Sequence, residues 1–411
     1  MFPHNDSSNQ YFLFEQALGI TSPWHIKSLD FSSNLQQIDI SVDFNTGAKF
    51  NCPICGASLC KVHDTTKKTW RHLDFFQHKA YLHCRVPRVC CETCGVHVAD
   101  VPWARKGSGF TLLFESMVLY LIQRMPVAQV AEYIGEHDTR LWRIVEYYVV
   151  KALNKEDLSS VSSIGIDETS VKKGHNYVTL VVDYETKRVI YVCDGKDSST
   201  LTSFRNELLA HGGNPDLIHS GCCDMSPAFL KGFRESFPDC NVTLDKFHVI
   251  KIISDAVDQI RRGESKKQPI LKKTKYLWLK DPNDLKPEQR IELNNLLCVN
   301  LKTAEAYKLK RRFQELWNQD NPENTLDSLN KWVVLANESK LKPMIRVAKT
   351  IKKHEGGILN IVKSGMTNAI LEGTNSLIQT FKRAARGYRN SKTLIKMIYL
   401  RLGDLNFGLP T

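Results

Sequence analysis

No stretch of this 411-residue chain comes near the roughly 18–20 consecutive apolar residues that a bilayer-spanning helix needs. Nor do the first residues, Met1 to Gln10, carry the apolar core of a secretory leader, since they are mostly polar. A membrane protein and an exported one are both disfavoured, and a cytoplasmic protein is expected. No internal repeat or low-complexity segment is evident, which sets aside solenoids and long disordered tails. Acid is in short supply: 44 Asp and Glu stand against 56 Lys and Arg, a net charge of +12 with a pI near 9.0. That surplus favours a polyanionic partner. The basic pairs Arg261-Arg262, Lys266-Lys267, Lys272-Lys273, Lys352-Lys353 and Lys382-Arg383 read one by one as solvated helix faces, so only the total counts. Apolar residues make up 42%, enough for real cores, and the length allows about two to four domains.

Cysteine is not scarce. Twelve in a cytoplasmic chain point to metal rather than disulfides. The informative four lie in Cys52-Pro53-Ile54-Cys55-Gly56 and Cys91-Glu92-Thr93-Cys94-Gly95. In such knuckles backbone amides orient the thiolates, and two knuckles can surround one zinc tetrahedrally. Between them run strand-like segments rich in aromatic and basic residues, Trp70-Arg71-His72-Leu73 and Tyr81-Leu82-His83-Cys84-Arg85-Val86. The expectation is a zinc-ribbon-like finger at 46–104, behind an N-terminal arm at 1–45. Cys52, Cys55, Cys91 and Cys94 would hold a structural Zn2+ that orders a module with little core of its own. A closed set of four thiolates leaves no open position for catalysis, so the role is structural and DNA-contacting. The spacing exceeds that of a minimal ribbon, and Cys60, His63, Cys84 and Cys90 stay open as substitute ligands. Unmetallated buried thiols are the bland alternative.

Residues 105–155 read as three helices. Phe110 to Arg124 is amphipathic, Pro126 to Gly135 is a second helix stopped by glycine, and Asp138 to Tyr148 is a third. A short helix, a glycine turn and a helix opening on polar residues is helix-turn-helix geometry, with an ordinary helical hairpin as the alternative. The start of the last helix would enter the major groove, with Arg140 and Arg143 reading base edges and Thr139 touching phosphate.

Farther on the pattern turns to strands. Ser163 to Ser170, Asn176 to Asp183 and Arg188 to Cys193 read as an antiparallel meander. A helix near Thr200–Ala210, a strand Leu217–Asp224, a helix Ser226–Phe237 capped by Ser226, and a strand Asn241–Asp245 follow. That order is the order of an RNase H-like fold. Asp167 lies in the first strand and Asp224 ends the fourth. Taken singly, one is a strand-end turn residue and the other a helix-start acid. A third acid, Glu372, sits on a helix whose polar side also carries Asn375, Ser376, Gln379, Arg383 and Arg386, with Ile370, Leu377, Phe381 and Ala384 opposite. Its bland reading is a solvated surface helix. Together, two sheet acids and one helix acid can share a pair of divalent cations, which activate the attacking oxygen and stabilise the leaving one in phosphoryl transfer.

The elements Gly165-Ile166-Asp167-Glu168, Cys223-Asp224-Met225-Ser226-Pro227, Asp245-Lys246-Phe247-His248-Val249 and Asn368-Ala369-Ile370-Leu371-Glu372-Gly373-Thr374-Asn375 resemble the ISL3 family of bacterial insertion-sequence transposases. So does the tail Phe381-Lys382-Arg383 with Gly387-Tyr388-Arg389-Asn390. The resemblance covers nearly the whole chain. It implies a DDE triad at Asp167, Asp224 and Glu372 on Mg2+ or Mn2+, in a nucleoid-associated bacterial enzyme. Its partners would be element-end and target DNA, contacted also by Lys382 and Arg383, and further copies of itself in a homo-oligomer. Asp245 with His248 is expected as a supporting pair, and Asp245 as the substitute if Asp224 is not a ligand. The catalytic core would span 160–264 and resume at 361–411, interrupted by an all-helical insertion at 265–360. Two readings stay beside cleavage with strand transfer: a DNA-binding regulator without catalysis, and a nuclease without strand transfer.

Overall fold

The computed structural model describes residues 11–172, 176–195, 197, 199–318 and 321–410, so the polar stretch Met1 to Gln10 lies outside the described residues. The chain divides into two compact units, residues 1–148 with 406–411 and residues 149–405.

The first unit contains α1 (Phe12–Leu18), β1 (Trp24–Ser32), β2 (Gln37–Phe44), β3 (Lys61–Phe75), β4 (His78–Cys91) and β5 (Gly95–Val98). They form one sheet in the order β1-β2-β4-β3, with β5 on β4. Residues expected as an N-terminal arm thus supply two of its strands. The alternation of Gln37-Ile38-Asp39-Ile40-Ser41-Val42 carries the reason, because Ile40 and Val42 turn into the core. There they join Trp24, Trp70, Leu82 and Trp103. Next come α2 (Leu112–Ile122), α3 (Val127–Ile134) and α4 (Asp138–Leu153). The first of these starts at Leu112 rather than Phe110, because Thr111 caps it by accepting from the Phe114 N–H at 3.3 Å. Fully buried Glu115 is held beneath by Arg105 Nε at 3.0 Å, Ser108 Oγ at 2.7 Å and Tyr148 OH at 2.6 Å.

The second unit opens with the meander β6 (Ser163–Ser170), β7 (Tyr177–Asp183) and β8 (Val189–Asp194). Then follow α5 (Ser199–Ala210), β9 (Ser220–Cys223), α6 (Pro227–Ser236) and β10 (Asn241–Leu244). The sheet order is β10-β9-β6-β7-β8, with β9 parallel to both of its neighbours. Ile164, Ile166 and Val181 pack against Phe204, Phe229 and Phe233 from the helices. The strand β9 is shorter than its pattern, because Pro215–Leu217 winds into a 3-10 turn first. Ser226 occupies the N-cap of α6 but makes no side-chain cap; its own N–H is taken by Asp224 Oδ1 at 2.8 Å.

A helical stretch follows: α7 (Lys246–Glu264), α8 (Lys275–Leu279), α9 (Pro287–Cys298), α10 (Lys302–Gln314), α11 (Pro322–Glu338), α12 (Lys342–Lys353) and α13 (Glu355–Ser364). Pro287, Pro322 and Pro343 sit in the first turns of α9, α11 and α12, where a missing N–H costs no intrahelical bond. The stretch has a core of its own around Val249, Ile253, Trp278, Phe313, Trp332 and Met344. The chain returns through α14 (Ala369–Ala384) and α15 (Ser391–Leu402). The buried stripe of α14 is Leu371, Thr374, Ile378 and Phe381, whereas Leu377 and Ala384 are exposed and Arg386 lies past the helix end at φ 55. A helical wheel gives the average apolar direction; the line of contact with β6 selects the stripe. Among the described residues no helix is long and apolar enough to cross a membrane.

Candidate active site

The parallel register lines up three carboxylates. Ser163 pairs with Ser220, and Ser220 with Asn241. Asp167, Asp224 and Asp245 each lie four residues further along, so they fall level on β6 and just beyond β9 and β10. Ligands in such sheets gather beyond the carboxyl ends of parallel strands. Asp224 occupies the middle place. Its Oδ1 serves the start of α6, while Asp245, only 2% exposed, caps α7 by accepting from Phe247 N–H at 2.9 Å. The other oxygen of Asp245 bonds His248 Nδ1.

The helix α14 is laid on β6 by three side chains at helical spacing. Asn375 Nδ2 donates to Asp167 Oδ2 at 2.6 Å, Gln379 Nε2 to Thr169 Oγ1 at 2.8 Å, and Lys382 Nζ to the Ser170 carbonyl at 2.7 Å. Such close approach needs Gly165. A Cβ there would lie 2.4 Å from Tyr184 Cε2 and 3.1 Å from Leu371 Cδ1. With α14 in this place, Glu372 lines a cleft of about 400 Å3 together with Asp167, Asp245, His248, Asn375 and Arg383. Asp224 is not part of that lining, yet its charge acts on Asp167. A larger cavity of about 880 Å3, between α9, α10 and α11, contains none of these acids and mixes Arg290, Arg311 and Arg312 with Glu305 and Glu315.

Burial first, then the charges of Asp224 and Asp245, pushes the Asp167 carboxyl up to about 6; the Glu168 N–H and His248 pull the other way. The bond that His248 donates to Asp245 raises the imidazole. Glu372 is raised too, by desolvation and then by Asp245. Asp167 takes its hydrogen bonds from the neutral amides of Glu168 and Asn375. The Asn375 Oδ1 is buried with no hydrogen-bond partner. Acids crowded around a half-buried carboxylate suit a divalent cation, which takes oxygen ligands. Asn375 and Gln379 were visible beside Glu372 on the helix wheel, but nothing in the sequence tied them to β6.

In the first unit, Cys52, Cys55, Cys91 and Cys94 bring their sulfurs within 4.8 Å of one another. Among the described residues this is the one group of three or more His, Cys, Asp or Glu ligand atoms so close; the acids of the second unit are more widely spread. The first cysteine of each knuckle is lowered mainly by backbone N–H groups of its own turn, Cys91 to about 6. Gly56 and Gly95, at φ 75 and 82, supply the left-handed turn. Cys84 is instead buried in the sheet core and Cys60 donates to the Ala57 carbonyl at 3.5 Å. On α4, Thr139 and Arg143 are exposed. Arg140 pairs with Glu136 and stacks 4.1 Å from the Phe110 ring centre. Lys382 is likewise engaged at Ser170, while Arg383 is exposed at the cleft.

A family profile described as a transposase matches residues 164–398, more than half of the chain. The helix-turn-helix domain of transposase family ISL3 matches residues 99–149, and the zinc-finger of transposases IS204, IS1001, IS1096 and IS1165 matches residues 48–94. The chain is 26% identical over 352 residues to the transposase for insertion sequence element IS1001 of Bordetella parapertussis, covering 83% of this chain and 86% of that one. To the transposase for insertion sequence element IS1557 of Mycobacterium tuberculosis it is 27% identical over 378 residues, covering 84% and 83%. The zinc-finger, helix-turn-helix and transposase matches follow one another along the chain, and the chain belongs to the ISL3 family of transposases, enzymes that act on DNA.

Proposed function

We propose that this transposase hydrolyses the phosphodiester at its element ends and then directs the freed 3′-hydroxyl into target DNA, with Asp167, Asp224 and Glu372 as the metal-holding triad. The carrying observation is the Asn375–Asp167 bond, which seats α14 on β6 and brings Glu372 to the row of strand-end acids. A meander followed by two parallel strands supports an RNase H-like core over 160–264 and 361–411, with 265–360 as a helical insertion. Mg2+ or Mn2+, when bound by these carboxylates, would supply activation of the attacking oxygen and charge relief at the leaving one. The chain's own part is positional. Asn375 fixes the rotamer of Asp167, Asp245 holds His248 toward the cleft, and Arg383 offers a cation to phosphate oxygens. Glu372 is long and exposed, so its carboxylate can swing to complete the set.

Four thiolates at this spacing fit Zn2+, which would order the finger within 46–104. Within 105–155, the exposed Arg143 and Thr139 are better placed than Arg140 to meet DNA. Assembly as a homo-oligomer on paired ends completes the reading.

The test uses duplexes carrying the inverted repeats that flank the gene. Asp167→Asn, Asp224→Asn and Glu372→Gln should each abolish cleavage while end binding persists. Unimpaired cleavage by one mutant removes that residue from the triad, and equal loss in Asp245→Asn with normal cleavage by Asp224→Asn moves the second ligand to Asp245. Cleavage without joined product makes the protein a nuclease, and end binding without cleavage makes it a regulator.

A further inference from the structure

Phe247 stands between Asp245 and His248 and is 64% exposed. On an ordinary surface one exposed phenylalanine needs no explanation. This one lines the cleft that holds Asp167, Asp245 and Glu372, among polar neighbours such as His248, Lys251 and Arg383. Its backbone is pinned. The Phe247 N–H is bonded to Asp245, and Val249 and Ile253 anchor the same helix in the core with no exposed surface. The ring therefore starts from a fixed point beside the acids. Its neighbour Lys246 is engaged elsewhere, with Nζ 5.1 Å from the Trp317 ring centre.

Duplex DNA offers such a cleft phosphates, sugars and polar groove edges, while the flat apolar faces of its bases are hidden in the stack. An aromatic face meets a surface of its own kind only when a base leaves the stack. Enzymes that must reach into DNA recover that unstacking cost by stacking the displaced base on a side chain. We infer that Phe247 is the platform for a base unstacked beside the scissile phosphate. Every base has such a face, so the contact tolerates any sequence. Lys251, one helical turn along α7 and exposed, takes the phosphate of that nucleotide.

The inference rests on the cleft being the cleavage site, so Asp167→Asn serves as the control for that reading. Full-length wild type, Phe247→Ala and Phe247→Trp are compared on an element-end duplex, and on the same duplex lacking one base beside the cut. Phe247→Ala should cut the intact duplex about ten- to hundredfold more slowly, the usual worth of one stacked base. End binding should stay within about threefold. Phe247→Trp should keep the wild-type rate. On the abasic duplex the Phe247→Ala defect should vanish, since neither the unstacking cost nor its recovery remains. A 2-aminopurine at that position should brighten when wild type binds, but not when Phe247→Ala binds. A defect of equal size on both duplexes, or equal brightening with both proteins, overturns the platform. So does a change in sedimentation of DNA-free Phe247→Ala, which would make the ring a protein contact. Normal cleavage by Asp167→Asn would instead remove the cleft as the cutting site.

Discussion

Asp167 gathers most of the electrostatic consequence. Its carboxyl titrates near 6 in the folded protein, against about 3.9 for a free Asp, with burial as the leading cause. A raised acid binds its proton more tightly when folded, so its stabilising share is present below the ordinary value and lost as pH rises through about 6. Without divalent metal, Asp167→Asn should therefore be more stable than wild type at pH 7.5 by roughly 2–3 kcal/mol, with the gap closing near pH 4. Millimolar Mg2+ should narrow the gap at pH 7.5 by stabilising wild type alone. Chemical denaturation across that pH range checks both statements, and parallel pH slopes for the two proteins would sink them. Sequence patterning showed Asp167 and Glu372 as candidates because an acid amid apolar or basic neighbours is conspicuous. It did not show Asn375 as the link, since a hydrogen bond across 208 positions leaves no local trace.

At the scale of elements, the contact of α14 with β6 depends on one missing side chain. Gly165→Ala drives a methyl into Tyr184 and Leu371, and should cost about 1–3 kcal/mol and slow cleavage as α14 shifts. Gly373, in the same helix, has open space around its Cβ position. Gly373→Ala should gain about 0.5–1 kcal/mol. Thermal melts of both mutants test the contrast; destabilisation by Gly373→Ala would mean that α14 is not laid down as described. On α4 the two arginines should also separate. Arg143→Ala should cut discrimination between end and random DNA about ten- to hundredfold, the worth of a bidentate base contact. Arg140→Ala should mainly destabilise the first unit, because it breaks the Glu136 pair and the Phe110 stack. Binding titrations at one salt concentration, read beside the melts, distinguish the two. Of the helices, Pro126 to Gly135 and Ser226 to Phe237 were legible in the sequence to within a residue or so at each end, whereas α1, α7 and α15 were not read and the third helix runs on to Leu153. The starts of α2 and β9 were missed because Thr111 and Pro215 act through cap and turn geometry.

For the whole molecule, two compact units with separate cores imply separable stabilities. If zinc orders the knuckles, a chelator or Cys91→Ser should lower the melting of the first unit and weaken end binding. The unfolding of residues 149–405 should stay where it was. Calorimetry with and without chelator reads the two transitions, and a fall in both would show that the metal supports more than the finger. The positive surplus belongs to this scale too: end binding should weaken steeply with salt, because released counterions supply much of the affinity.

What the sequence determined by itself were the short-range facts. Cys-x-x-Cys-Gly spacing, strand alternation, a glycine stop and a surplus of 56 cations over 44 acids depend on neighbours along the chain, so they can be read there. The tertiary structure alone decided which distant groups meet. It turned the expected arm into two strands, because β2 pairs with β4 across some forty positions. It set Asp167, Asp224 and Asp245 level at neighbouring strand ends, because parallel register, not sequence order, sets the level of each strand end, and Asp245 rather than Asp224 lines the cleft. It also gave Arg140 and Lys382 partners within the fold, Glu136 and the Ser170 carbonyl, because side chains far apart or a turn apart meet only once the chain is packed.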